Sequence, residues 1–309
     1  MRNAFAAEIT ELAMHDPRIV LLSGDIGNRL FDRLKEQCPG RFFNCGVAEA
    51  NMIGVAAGMG LCGLRPVAYT IAPFLTARCL EQIRLDICYQ RVPVVLVATG
   101  AGLSYASLNA THHSCEDLAW LRVLPNMTVL CPGDPVEVRL ALRAAMRHDG
   151  PVYVRIGKKG EPVVHEREPV FEIGRWIPLR PGGDVQILST GNVLPLAVAI
   201  ADSLTQTGIP CGAVSCPSVK PLDLSLLGKV FAESRLVVTL EEHSKLGGFG
   251  GAVAEWLSEQ ATPRAKLLRQ GTEDRFLYEA AEQEHARHLY GLTTEAVSHA
   301  IQKALAGQR

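Results

Sequence analysis

Short apolar runs alternate with helical patterns along most of this chain, and that alternation restricts the fold more than any other feature. The first helical pattern places Phe5, Ile9, Leu12 and Ala13 on one face, and Pro17 ends it before the apolar run 19–22. Further runs follow at 93–100 (PVVLVATG), 127–133 (MTVLCPG) and 151–157 (PVYVRIG), each separated from the next by a helical pattern. Parallel strands need long crossovers, and helices supply them. The pattern therefore predicts an α/β fold of doubly wound, mostly parallel sheets with helices on both faces. Two helices are well signalled: one capped by Asp134, with Pro135 and Glu137 in its first turn, and one over 77–90 with Leu80, Ile83 and Ile87 inward.

From 158 to 183 the sequence (KKGEPVVHEREPVFEIGRWIPLRPGG) is charged and rich in Pro and Gly, with too little apolar period for a core element. A second α/β unit follows. It has strands at 184–191 (DVQILSTG), 235–243 (RLVVTLEEH) and 265–271 (AKLLRQG), a helix over 194–208 closed by Gly208, and a last helix from 293 opened by a Thr cap. With 309 residues, the expected organisation is one domain over 1–160, a linker over 161–183 and a smaller domain over 184–309.

Composition narrows the class. Hydrophobic residues make up 48% and charged residues 20%, and the net charge is -1, so neither a nucleic-acid partner nor electrostatic membrane attachment is expected. No apolar run approaches the ~20 residues that span a bilayer. The nine cysteines are scattered with no C-x-x-C, and the N-terminus reads as an amphipathic helix instead of a signal peptide, so a cytoplasmic setting is expected.

Four features carry possible chemistry. Glu49 stands at the front of a small, apolar segment (Gly46, Val47, Ala48, Ala50, Met52, Ile53), and two readings of it stay open on residue chemistry alone. One is an acid favoured by the helix dipole; the other is a carboxyl kept protonated by burial, able to share a proton with a ring nitrogen of a ligand. His112 and His113 are adjacent and so cannot face the same way, which argues against a metal pair and for one histidine at a cleft with the other satisfied in packing. Asp25 follows the first strand, where a ligand contact or a helix cap would serve equally. The glycines of 247–251 lack G-x-G-x-x-G spacing and read as a close-packing turn.

Taken in order, the segments 41–90 (RFFNCGVAEANMIGVAAGMG onward), 101–137 (AGLSYASLNATHHSCEDLAWL onward), 220–223 (KPLD) and 237–255 (VVTLEEHSKLGGFGGAVAE) resemble the transketolase family of thiamine-diphosphate enzymes. The resemblance implies that Glu49 bonds a ring nitrogen of the cofactor's aminopyrimidine and shifts it to the imino form that activates the cofactor. It implies that Phe74 stacks on that ring, that Gly46 offers a backbone contact, that Asp25 and Ile26 line the cofactor's middle, and that His112 faces the substrate. Arg29, Arg78 and Lys158 are candidate anion contacts.

The family's diphosphate and metal site uses a GDG motif, and none occurs here. The resemblance is thus to the C-terminal half of a split transketolase, with no metal ligands of its own. A partner chain is implied, holding the diphosphate through Mg2+ or Ca2+ and giving a heterotetramer, α2β2, that associates through the pyrimidine and C-terminal domains. Two departures bear on the substrate. Gly100 stands where common transketolases carry a His, and 107–109 (SLN) replaces an E-D-G run, putting Leu108 where an Asp would bond a donor hydroxyl. A specialised donor is expected. A decarboxylating 2-oxo acid enzyme, as in dehydrogenase beta subunits or deoxyxylulose phosphate synthase, is the nearest alternative, and a non-catalytic scaffold the more distant one.

Overall fold

Two mostly parallel sheets flanked by helices form the structure, a computed structural model that describes residues 1–309 apart from Asn28, Lys159, Thr262, Gln308 and Arg309. The strands in chain order are β1 (Ile19–Ser23), β2 (Phe42–Asn44), β3 (Arg65–Ile71), β4 (Val95–Thr99), β5 (Thr128–Leu130), β6 (Val152–Ile156), β7 (Ile177–Arg180), β8 (Val185–Thr190), β9 (Cys211–Ser215), β10 (Ser218–Lys220), β11 (Leu236–Ser244) and β12 (Lys266–Thr272). Among the described residues, seven form one sheet in the order β10-β5-β6-β4-β3-β1-β2, and five form another in the order β12-β11-β8-β9-β7. The antiparallel pairs are β10 with β5 and β7 with β9. The expected α/β class holds.

Strands β1, β4 and β6 are buried at every position, as strands covered on both faces must be. The strand period splits their side chains between two cores. Leu21 packs with Phe5, Ile9 and Ala13 on one face, while Leu22 packs with Met52, Ile53 and Ala56 on the other. The helix Glu49–Leu61 therefore lies directly against β1 and β3, with its first residue near their carboxyl ends.

Two expectations need correction. The stretch 158–183 does carry a core element, since β7 pairs with β9 at the edge of the second sheet, Ile177 and Leu179 alternating with the exposed Pro178 and Arg180. Proline is tolerated there because an edge strand leaves one side of the ladder open. Just before it, Trp176 is buried edge-on to Phe249 at 5.6 Å and donates its indole N–H to the Ser218 carbonyl at 2.8 Å. Lys159, also in this stretch, lies outside the described residues.

The helix expected over 77–90 starts three residues later and is mostly π-helical. A short helix Ala72–Thr76 and a turn at 77–79 lead into one turn Leu80–Gln82 and a π-helical segment Ile83–Tyr89. Widening the coil turns Ile83, Ile87 and Cys88 inward together, and such segments gather at functional sites. The cap at Asp134 is present: its Oδ1 accepts from the Glu137 N–H at 2.8 Å, and Glu137 accepts in return from the Gly133 N–H.

A buried polar network joins the two sheets. Arg155 donates to Asp117 at 2.8 Å and to the carbonyls of Ser114 and Glu242, and Tyr153 donates to Asp117 at 2.5 Å. Glu242 accepts from the Leu103 N–H, Gln283 and Arg287, which ties the loop after β4 to the second sheet. His243 accepts from the Leu118 N–H at 3.2 Å while its Nδ1 donates to the Ser244 carbonyl at 2.9 Å, a pairing that requires the neutral ring. Burial pushes this histidine down to about 4. Among the described residues, no helix is long and apolar enough to cross a membrane.

Candidate active site

Glu49 is the first residue of its helix and only 4% exposed. It shares the buried face of that helix. Met52, Ile53, Ala56 and Ala57 turn inward with it, whereas Val47, Ala48 and Val55 are exposed, so the wrapping expected from composition is half right. Among the described residues, one donor reaches the carboxylate: the Arg78 guanidinium, at 3.1 Å. No backbone N–H of its helix bonds it, so the dipole reading finds no direct contact in its support.

Arg78 also stacks on Phe74, its guanidinium carbon 4.0 Å from the ring centroid. Phe74 in turn meets His112 edge-on at 5.1 Å, and His112 meets Tyr105 at 6.1 Å. The Lys158 ammonium sits 4.8 Å over the Tyr105 ring. A continuous strip thus runs Glu49, Arg78, Phe74, His112, Tyr105, Lys158, at the carboxyl edge of the first sheet, where open α/β sheets bind ligands. Burial, and then the nearby Arg78 charge, push His112 below the ordinary imidazole range, leaving it neutral at pH 7 and able to accept a proton.

The structure brings together Glu49, Phe74, Arg78, His112 and Lys158 from the expected set. Asp25 is exposed and begins no helix, so its capping role is corrected. Its backbone has φ of +56°, and its Oδ1 accepts from Asn44, whose own side-chain oxygen accepts from the Gly46 N–H at 3.0 Å. That chain of bonds sets Gly46 beside Asp25. Ile26 is half-buried and accepts from the Ser23 hydroxyl. Arg29 is exposed and without an ion pair among the described residues. His113 is buried as expected and its ring bonds the backbone of Ala106, while its Nε2 has no partner among the described residues.

Tyr105 was not anticipated. Gly100 has φ of +82°, and a Cβ there would press on the edge of the Tyr105 ring, against two of its carbons. The tyrosine ring therefore occupies the space that a side chain at position 100 would take. The signal lay in the sequence as a glycine directly after a strand, but its partner five residues on could not be read from spacing.

The glycine turn after β11 packs as expected. Its helix N-terminus is taken by the protein's own Glu241, which accepts from the Phe249 and Gly250 N–H groups at 2.6 and 2.7 Å. Those bonds occupy the donors that would cradle a phosphate. Burial pushes the Glu241 carboxyl up to about 7, against the pull of the two N–H bonds.

The sequence matches the transketolase pyrimidine binding domain over residues 1–161 and the transketolase C-terminal domain over 174–297. The chain belongs to the transketolase family. A relative from Methanocaldococcus jannaschii named as a putative transketolase C-terminal section is 35% identical over 99% of this chain and 96% of its own length. A 6-deoxy-6-sulfo-D-fructose transketolase subunit from Clostridium sp. (strain MSTE9) is 34% identical over 96% of this chain and 92% of its own length. A 1-deoxy-D-xylulose-5-phosphate synthase from Synechococcus sp. (strain JA-3-3Ab) is 36% identical over 99% of this chain, which spans 48% of that protein. Among solved structures, one described as a split gene transketolase, inactive beta4 tetramer, superposes with a TM-score of 0.89 at 39% identity, covering 100% of this chain and 98% of that one. This transketolase-family chain thus has the extent of a split subunit.

Proposed function

We propose that this chain is the pyrimidine-binding subunit of a thiamine-diphosphate-dependent enzyme that transfers a two-carbon ketol or acyl unit. In this reading it acts in cytoplasmic carbohydrate metabolism, and only with a partner chain that holds the cofactor's diphosphate through Mg2+ or Ca2+. The observation that carries the reading is the placement of Glu49 and Phe74. The Arg78 guanidinium is a planar nitrogen group, and it is stacked on Phe74 and bonded to Glu49 at once. A flat ring lying on Phe74 would likewise set a nitrogen against Glu49, so the residues present fit the cofactor's ring.

When bound, thiamine diphosphate supplies the nucleophilic carbon and the electron sink. In this chain, Glu49 would hold a proton at a ring nitrogen, Phe74 would fix the ring plane, and the Gly46 backbone, Asp25 and Ile26 would line the cofactor. His112, neutral and beside Phe74, exchanges a proton with the donor or product. Arg78, Lys158 and Arg29 supply positive charge for an anionic substrate. The relative described as an inactive beta4 tetramer supports both self-association and dependence on a second subunit, and α2β2 is the assembly that reading favours.

The donor is proposed to be a specialised one. Tyr105 fills the place of the family's His, and Leu108 is 48% exposed where an Asp would have bonded a hydroxyl. Leaving that hydroxyl without a partner costs about 1–3 kcal/mol in discrimination. The test is to purify the chain with its partner subunit and assay cofactor-dependent consumption of a panel of ketoses and 2-oxo acids. Turnover by the pair, and by neither chain alone, is expected. Turnover of xylulose 5-phosphate at housekeeping rates would refute the specialised donor. Carbon dioxide release from pyruvate would favour the decarboxylating alternative that the synthase relative represents, and failure to bind cofactor would favour a scaffold.

A further inference from the structure

Arg78 projects from the turn at 77–79, between the helix Ala72–Thr76 and the π-helical stretch, and its side chain is 48% exposed. Its guanidinium nevertheless reaches inward to a carboxylate that is almost fully buried. No other donor among the described residues bonds Glu49, and Arg78 covers one face of Phe74. The pair is thus built from one fixed partner and one that enters from the rim. The Arg78 side chain can withdraw into solvent, because it and its neighbour Ala77 are exposed while the next residue, Cys79, anchors the turn in the core.

A ring stacked on Phe74 and bonded to Glu49 needs the volume and the acceptor that the guanidinium takes. On that face of Phe74 and at that oxygen, Oε2 of Glu49, the two exclude each other. We infer that Arg78 is a displaceable occupant of the pyrimidine seat: it competes with the cofactor's ring for Phe74 and Glu49, and its release turns it into the cation that receives the anionic group of the substrate. This rests on the reading given under Proposed function and adds an order to it, cofactor first and anionic substrate second.

Geometry supports the second half. The guanidinium and His112 share Phe74 as a neighbour, so a small swing carries the charge along the strip toward the substrate end. Arg78 already acts on His112 electrostatically, as the direction of the histidine's shift records. Arginine suits both posts, since its planar fork stacks on an aromatic face and grips a phosphate, sulfonate or carboxylate through two N–H groups. A lysine would do neither well.

The experiment uses the complex with its partner subunit and measures thiamine diphosphate affinity by titration calorimetry, with wild type, Arg78→Met and Arg78→Lys compared. Removing a stacked, half-exposed competitor is expected to tighten cofactor binding by about three- to tenfold in Arg78→Met. Arg78→Lys, which keeps the charge and loses the planar stack, falls between the two. The same Arg78→Met complex is expected to show a KM for an anionic donor raised by about tenfold or more. Arg78→Lys also serves if the methionine variant fails to assemble. Unchanged or weaker cofactor binding in the variants, with wild type binding normally, overturns this inference alone. A wild-type complex that binds no cofactor overturns the reading beneath it as well.

Discussion

Two buried glutamates near helix starts show how differently one residue type is used in the two sheets. Glu241, 1% exposed, accepts from two backbone N–H groups of the helix Phe249–Ser258, and those donors cannot leave without unwinding the helix. Glu49, 4% exposed, has among the described residues a single donor, carried by a side chain that is half in solvent. A carboxylate held by backbone belongs to the fold. One held by a removable side chain is available to a ligand. Burial alone does not separate these cases, but the kind of donor does.

The largest effect that tests this contrast is on stability. Glu241→Ala leaves two buried N–H groups without acceptors and is expected to cost about 3 kcal/mol in denaturant unfolding. Glu49→Gln is expected to cost less than about 1 kcal/mol, because the cation it releases can be hydrated. Equal losses would break the comparison.

His243, also held by backbone partners, sharpens it through pH. Its folded-state value of about 4 lies below the ordinary 6.5, so the unfolded chain takes up the proton first and stability falls as pH drops from 6.5 toward 4. Between pH 7 and 5 this single group is expected to remove about 2 kcal/mol. His243→Gln is expected to flatten that part of the curve, and an unchanged slope would show that the ring is not held neutral. Smaller again, Gly100→Ala forces a Cβ against Tyr105 at a left-handed backbone position and is expected to cost about 1–2 kcal/mol in unfolding. Shortening the tyrosine in the double variant Gly100→Ala/Tyr105→Val should recover part of that loss, measured in the same way. No recovery would mean that Tyr105 does not define the site wall.

The strands that were legible are those whose apolar runs stand between clear turns, such as β1, β4, β6 and β8. β3 was not read as a strand because it opens on Arg65 and Pro66 and passes into the helix at Ala72 with no turn residue between. β7 does show alternation at Ile177 and Leu179, yet Pro178 and the surrounding charges hide it. β10 joins the first sheet from the second half of the chain, a long-range pairing that no local pattern announces. In the candidate site, motif order names Glu49, Phe74 and His112, while spacing carries no sign that Arg78, a candidate anion contact, lies between the first two. Likewise the glycine at 100 was visible, but not the ring that requires it.

The most direct measurement places Glu49→Gln in the complex with the partner subunit and records turnover and thermal midpoint together. The account expects cofactor-dependent turnover to fall by about 100-fold or more, with the midpoint within a few degrees of wild type. A variant that turns over at the wild-type rate, or that melts as Glu241→Ala does, would contradict it.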